Sequence, residues 1–190
     1  YIELLPLSLI GPDLLSKVGI DVETCTEIDN AIGKETSLMA PSTLPALLEH
    51  AEKNLLQFDD VLRTFHVSTV FKGGIDSNVE LGMSIVTKKQ TDLKLDPFLL
   101  LKQELLEALS DAGYQMSLDI SKDVPTYASS GRTARIVVEG KVIGTLFEVS
   151  PEVKQKFDLP ARAAALTLDV TALKEIPAAT IDRKSVVEGK

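Results

Sequence analysis

Ala134-Arg135-Ile136-Val137-Val138-Glu139-Gly140-Lys141-Val142-Ile143-Gly144-Thr145-Leu146-Phe147-Glu148-Val149 reads as a pair of β-branched, apolar strands, Ala134 to Glu139 and Val142 to Val149, joined across Gly140-Lys141 by a tight hairpin turn. Working outward, Tyr114 to Ile120 supplies a further strand on the N-terminal side. Before it, Asp96 is placed to cap a helix with Pro97 at its first position, Phe98, Leu101, Leu105, Leu109 and Ala112 on one face, and Gly113 as its stop. On the C-terminal side, Ser150-Pro151-Glu152 has helix-start chemistry: a capping hydroxyl, a proline where no N–H is missed, and a carboxylate near the positive helix end. A last strand, Ala164 to Val170, and a short helical turn, Thr171 to Lys174, follow. Leu62 to Phe71 and Val79 to Val86 flank Lys72-Gly73-Gly74 and suggest another antiparallel pair. Runs of strands broken by helices, without regular βαβ alternation, predict an α+β fold: a largely antiparallel sheet flanked by helices.

Nearer the N-terminus, Ile2 to Ile10 is apolar and strand-like, and Gly11-Pro12-Asp13 opens a helix through Leu14, Leu15 and Val18. Val22 to Ile28 alternates as a second strand, and Asp29-Asn30-Ala31-Ile32-Gly33 follows as a turn. The next helix carries Leu44, Leu47, Leu48, Ala51 and Leu55 on one face, which must be buried somewhere. The pattern holds over residues 1–177 as one unit. Residues 178–190 read as a truncated linker or an adapter-derived tail, because Asp182 to Lys190 breaks the apolar patterning and looks like translated adapter sequence. A chain that opens at Tyr1 without methionine suggests an upstream part.

A content of 44% hydrophobic and 25% charged residues, with no low-complexity tract, places the chain in the globular class and away from disorder. The formal charge of −8 opposes attraction to a phosphate backbone, so DNA is not an expected partner. Cys25 is the single cysteine, which excludes an internal disulfide and a thiolate cluster within the chain. No apolar run approaches the roughly 20 residues of a membrane span and no signal peptide is visible, so the cytoplasm is the expected compartment, with no membrane partner.

The inventory of reactive groups is thin. His50 sits among Glu49 and Glu52 opposite the leucine face and reads as solvated, whereas His66 alternates with Phe65 and Val67 in a strand and reads as structural or surface. No HExxH, Walker, GxSxG or GxGxxG pattern occurs, and Gly73-Gly74 is explained as a turn. Asp119, Asp123, Glu139 and Glu148 have no spacing that forces them together. Arg132, Arg135 and Lys141, or Lys88-Lys89, could touch phosphate, the alternative being a solvated face. No catalytic, cofactor-binding or metal-binding residue is assigned.

Asp29-Asn30-Ala31-Ile32-Gly33-Lys34-Glu35-Thr36-Ser37-Leu38-Met39, followed by Ser42-Thr43-Leu44-Pro45-Ala46-Leu47-Leu48-Glu49, resembles the bacterial phenylalanyl-tRNA synthetase β subunit. Further landmarks keep the family's order: Leu62-Arg63-Thr64-Phe65 leading to Val70-Phe71, Asp96-Pro97-Phe98, Gly131-Arg132-Thr133-Ala134, and Gly144-Thr145-Leu146-Phe147-Glu148-Val149-Ser150-Pro151-Glu152-Val153. The sequence departs from the family pattern at Ala40, where the family has arginine, at Phe65-His66, where it has phenylalanine-glutamate, and at Ser129-Ser130, where it has histidine-proline.

The resemblance implies a class II synthetase fold in a catalytic-like module that supports a separate catalytic α subunit in attaching phenylalanine to its tRNA. It further implies an α2β2 heterotetramer, ATP and Mg2+ as requirements of the whole complex and not of this fragment, and tRNA met through the complex. Editing, magnesium-contacting and anticodon-binding regions would lie outside this stretch. The residues agree with a degenerate site, because a working class II enzyme holds ATP phosphates with arginines at two strand ends. The corresponding stretches here are Phe65-His66-Val67-Ser68 and Ala163-Ala164-Ala165-Leu166-Thr167-Leu168. The resemblance places the stripe Leu44, Leu47, Leu48, Ala51 and Leu55 on an element used at subunit interfaces, packing on its own sheet being the other reading. Rival functions are a free-standing ATP-dependent carboxylate-activating synthetase and an independent RNA-binding module.

Overall fold

The computed structural model describes residues 1–58, 61–88, 96–120, 123–159 and 162–179. Strands β1 (Ile2–Glu3), β2 (Leu9–Ile10), β3 (Leu38–Met39), β4 (Val61–Phe71), β5 (Ser77–Thr87), β6 (Met116–Ile120), β7 (Ala128–Val138), β8 (Lys141–Val149) and β9 (Ala163–Asp169) alternate irregularly with helices α1 (Pro12–Val18), α2 (Leu44–Asn54), α3 (Pro97–Asp111), α4 (Pro151–Lys156) and α5 (Val170–Lys174). Seven strands form one sheet in the order β1-β4-β5-β9-β8-β7-β6, and β2 pairs separately with β3. Every pairing in the large sheet is antiparallel except β1 with β4.

Both faces of the sheet are covered. One packs Leu62, Val86, Phe147, Ala163 and Ala165 against Leu44, Leu48 and Ala51 of α2, Val18 of α1 and Val153 of α4. The other packs Ile85, Ile136, Leu146, Ala164 and Leu166 against Leu101, Leu105 and Leu109 of α3, with Leu173 of α5 alongside. The last strand is the keystone, since β9 pairs with β5 on one side and β8 on the other. Its Ala163-Ala164-Ala165 run is fully buried on both faces, and the small side chains let helices approach from each side.

Sequence patterning locates most of these elements, with three corrections. The hairpin turn lies at Glu139-Gly140, one residue before the expected Gly140-Lys141, because Val138 pairs with Lys141. Both turn residues have positive φ, 47° and 76°, as a two-residue hairpin loop requires. The strand expected at Val22 to Ile28 is a 3₁₀ turn at Val22–Thr24, held by the Asp21 carboxylate accepting from the Glu23 N–H at 3.0 Å, and Glu27 makes only an isolated bridge to Leu38. The single strand expected over Ile2 to Ile10 is split into β1 and β2, which belong to different sheets. The expected tail lies outside the described residues apart from Ala178 and Ala179, whose N–H donates to the Gly113 carbonyl at 2.8 Å.

The first turn of α3 is an electrostatic junction. Asp96 accepts from the Phe98 and Leu99 N–H groups at 3.0 and 3.2 Å and from Arg132 Nη2 at 2.6 and 2.8 Å. Arg162 Nη2 reaches Asp96 at 3.0 Å and Glu148 at 3.1 Å. Arg132 Nε lies 2.5 Å from Glu148 Oε2 but off the hydrogen-bonding line, so that contact is ionic, and its guanidinium stacks 4.9 Å from the Phe98 ring centre. Burial alone would raise the Asp96 pKa, but the Arg132, Leu99 and Arg162 hydrogen bonds outweigh it and hold the carboxyl below its ordinary value. A carboxyl depressed in the folded state contributes stability above its unfolded pKa, near 4, and loses it as pH falls through the lower folded value. Asp96→Asn should therefore lower the urea midpoint at pH 6, and the gap from the parent chain should shrink as pH falls towards 2. A gap independent of pH would mean that the pair carries no net charge–charge stabilisation.

Candidate functional site

The alternation of β5 places Asn78, Glu80, Gly82 and Ser84 on one face and Val79, Leu81, Met83 and Ile85 on the other. A strand with a polar row ordinarily turns that row to water. Here the first turn of α2 lies over it instead, so Glu80 is 3% exposed and Ser84 1%. Gly82 permits the approach: a Cβ there would lie 2.2 Å from Thr43 Oγ1 and 2.8 Å from Leu47 Cδ1.

Glu80 closes the helix end. Its Oε1 accepts from the Ser42 hydroxyl at 2.8 Å, the Thr43 N–H at 2.9 Å and the Thr43 hydroxyl at 2.9 Å. Lys72 Nζ stands 3.3 Å from the other oxygen. The N-terminus of α2 therefore takes its carboxylate from the sheet and not from a capping residue of its own.

Beyond that turn the same face opens into a cleft of about 540 Å3. Cross-strand pairing sets Glu80 beside Asp169 and Thr145 beside Thr167 as its polar lining, with Lys72 and Tyr127 also bordering it. Asp169 is itself engaged, accepting from the Ala172 N–H at 2.8 Å and from Asn78 Nδ2 at 2.7 Å. Burial, and then the charge of Glu80, push the Tyr127 phenol above its ordinary pKa, so it stays protonated at neutral pH. The cleft thus offers two carboxylates against one lysine, an electrostatic setting that repels a triphosphate. Among the described residues, no group of three or more His, Cys, Asp and Glu side chains is close enough to hold a metal ion.

The residues singled out from sequence fall elsewhere. Leu44, Leu47, Leu48, Ala51 and Leu55 are 1%, 0%, 0%, 0% and 3% exposed, so the stripe is consumed by the chain's own core and is not a surface for a partner. The physical reason is that α2 lies flat on β4, β5 and β9, which need an apolar cover there. Arg132, Arg135 and Lys141 do not converge on a phosphate site. Arg132 is held by Asp96 and Glu148, Arg135 stands 3.6 Å from Asp119, and Lys141 is 2.6 Å from Glu175. Lys88 donates to the Leu56 carbonyl at 3.1 Å, and Lys89 lies outside the described residues.

His50 is half-buried and not solvated: its Nδ1 lies 3.3 Å from Asn54 Nδ2, its Nε2 is buried without a partner among the described residues, and burial lowers its pKa. Of the two positions open to His66, structural or surface, it takes the buried one, 5% exposed with Nδ1 3.0 Å from the Leu4 carbonyl. No sequence signal marks Glu80 as inward-facing, because it stands on the polar row of an alternating strand, the row that ordinarily faces water.

The sequence model of the phenylalanyl tRNA synthetase beta chain CLM domain matches residues 1–170. The chain belongs to that family. Among curated members it is similar to the phenylalanine–tRNA ligase beta subunit of Carboxydothermus hydrogenoformans, 29% identical over 188 residues covering 92% of this chain and 23% of that protein. The beta subunit of Clostridium tetani is 25% identical over 171 residues, covering 86% and 21%. The chain thus spans between a fifth and a quarter of the length of these beta subunits. Among solved structures, a pyrrolysyl tRNA synthetase from Desulfitobacterium hafniense superposes with a TM-score of 0.72 at 13% identity, over 95% of this chain and 67% of that one. At that identity the likeness concerns the fold, and it establishes for this CLM-family chain the class II synthetase architecture expected from sequence.

Proposed function

We propose that this chain is the catalytic-like core of a phenylalanine–tRNA ligase β subunit and that it acts as a structural support for a catalytic α subunit, without carrying out adenylation itself. The observation that carries this reading is the chemistry of the sheet face: the first turn of α2 and its Glu80 cap occupy part of it, and the remaining cleft is lined by Glu80 and Asp169. Adenylate formation needs positive charge where the phosphates sit, because that charge stabilises the developing transition state. The reading extends to a cytoplasmic α2β2 assembly in which ATP, Mg2+, phenylalanine and tRNA are handled by the complex. Any α-subunit contact then falls on surfaces other than the leucine stripe of α2.

The test is co-purification of the full-length subunit with its candidate α subunit, followed by phenylalanine-dependent aminoacylation of tRNA. Association, with activity only when both chains are present, is the expected result. ATP–pyrophosphate exchange by the β chain alone would overturn the non-catalytic reading, and absence of association would overturn the support role.

A further inference from the structure

The cleft over β5, β9 and β8 carries negative charge that its own side chains leave under-compensated. Glu80 and Asp169 are direct cross-strand partners on one face, which sets their Cβ atoms about 5 Å apart. Like charges so placed repel, and water screens little of that repulsion at a side chain only 3% exposed, as Glu80 is. Three donors converge on Glu80 Oε1. Among the described residues its Oε2 has only Lys72 Nζ, 3.3 Å away on a side chain that is 53% exposed and so well screened. The Tyr127 phenol on the lining registers the field: burial first, and then the Glu80 charge, raise its pKa.

Asp169 is less compensated still. Its oxygens accept from the Ala172 N–H and from Asn78 Nδ2, both neutral donors, and a carboxylate has room for about four. Among the described residues no lysine, arginine or histidine forms an ion pair with it. Two positions back along β9, Thr167 faces the same way and is the cross-strand partner of Thr145 on β8. Neither of these hydroxyls makes a hydrogen bond among the described residues. Ile20, Pro41 and Val142 supply a hydrocarbon wall beside this polar floor.

We propose that the cleft binds a small primary amine, its ammonium between Glu80 Oε2 and Asp169, its third proton on Thr167, and an apolar body without negative charge against the hydrocarbon wall. An ammonium brings three donors and a positive charge, which is what two carboxylates and a free hydroxyl ask for. A divalent ion does not fit as well, because no three ligating side chains come together among the described residues. The volume of about 540 Å3 lies in the range of small-molecule sites, roughly 300–1,000 Å3. The inference goes beyond the support role and rests on that reading only in taking the cleft to be free of ATP. Amine binding and ATP–pyrophosphate exchange are separate measurements, so either can fail alone.

Benzylamine is the probe, with benzyl alcohol as its neutral counterpart, each titrated calorimetrically into the full-length subunit at pH 7.5. Benzylamine should bind saturably and about tenfold more tightly than benzyl alcohol, the difference expected where a charged donor meets carboxylates. Asp169→Asn, which keeps an oxygen for the Ala172 N–H, should erase most of that preference. Lys72→Met, at an exposed position, removes the competing cation and should tighten benzylamine binding about threefold while leaving benzyl alcohol unchanged. Equal binding of the two probes, no saturable binding, parental preference in Asp169→Asn, or no tightening in Lys72→Met would overturn the proposal.

Discussion

Leu48→Asp is expected to abolish the folded state, leaving a chain without cooperative urea unfolding and with the circular dichroism of a largely disordered polypeptide. Leu48 is fully buried against the sheet face that holds Phe147 and Ala165. Truncating such a leucine to alanine already costs about 2–5 kcal/mol through lost transfer energy and the cavity left behind. A carboxylate adds several kcal/mol more, either as a desolvated charge or as the work of protonating it. Domains of this kind have only about 5–15 kcal/mol in reserve. Were the stripe at a subunit interface, the reading the resemblance offers, this substitution would probe association; the burial of α2 makes it a probe of folding. A Leu48→Asp chain with a native-like urea midpoint would mean that α2 does not pack on the sheet as described.

Glu80→Ala should lower stability by about 3 kcal/mol, measured as the shift in urea midpoint multiplied by the slope of the transition. Three donors lose their acceptor at once: the Ser42 hydroxyl, the Thr43 N–H and the Thr43 hydroxyl. Losing a helix cap costs about 0.5–2 kcal/mol, and a buried donor left unsatisfied about 1–3 kcal/mol. Thr43 is 2% exposed, so water cannot readily replace the carboxylate. Glu80→Gln keeps an oxygen at the helix end and should recover roughly half of the loss. If the alanine variant lost less than about 0.5 kcal/mol, the cap would be dispensable and the polar row of β5 would need another explanation.

Local chemistry made α3 legible: Asp96, Pro97 and Gly113 mark its ends, and leucines spaced along one face mark its buried side. The β7–β8 hairpin was legible for the same reason, and its turn was misplaced by one residue because Gly140 serves as its second position and not its first. Val22 to Ile28 misled because alternation over a few residues does not distinguish a strand from an irregular segment tied down by Asp21. The apolar stripe of α2 showed that something must cover it but not what, since a leucine facing a neighbouring strand and one facing a partner subunit are written alike.

The cleft was the least legible feature. It gathers Ser42, Lys72, Glu80, Tyr127, Thr145 and Asp169 from distant parts of the chain, and only the pairing of β5, β9 and β8 brings them together. The resemblance fixed the family and the class II fold through ordered landmarks, yet it carried no information on whether Arg132, Arg135 and Lys141 were free. Each has a carboxylate within 3.6 Å or less.

The position of β9 has a consequence for synthesis. Among the described residues the central strand of the sheet is also its last in sequence, so β4–β5 and β6–β7–β8 leave the ribosome as separate units, each with an unpaired inner edge. Those edges, on β5 and β8, stay open until residues 163–169 emerge and slot between them. A product terminated before Ala163 would present the two edges together, a template for pairing with other chains, and is expected to accumulate as aggregate.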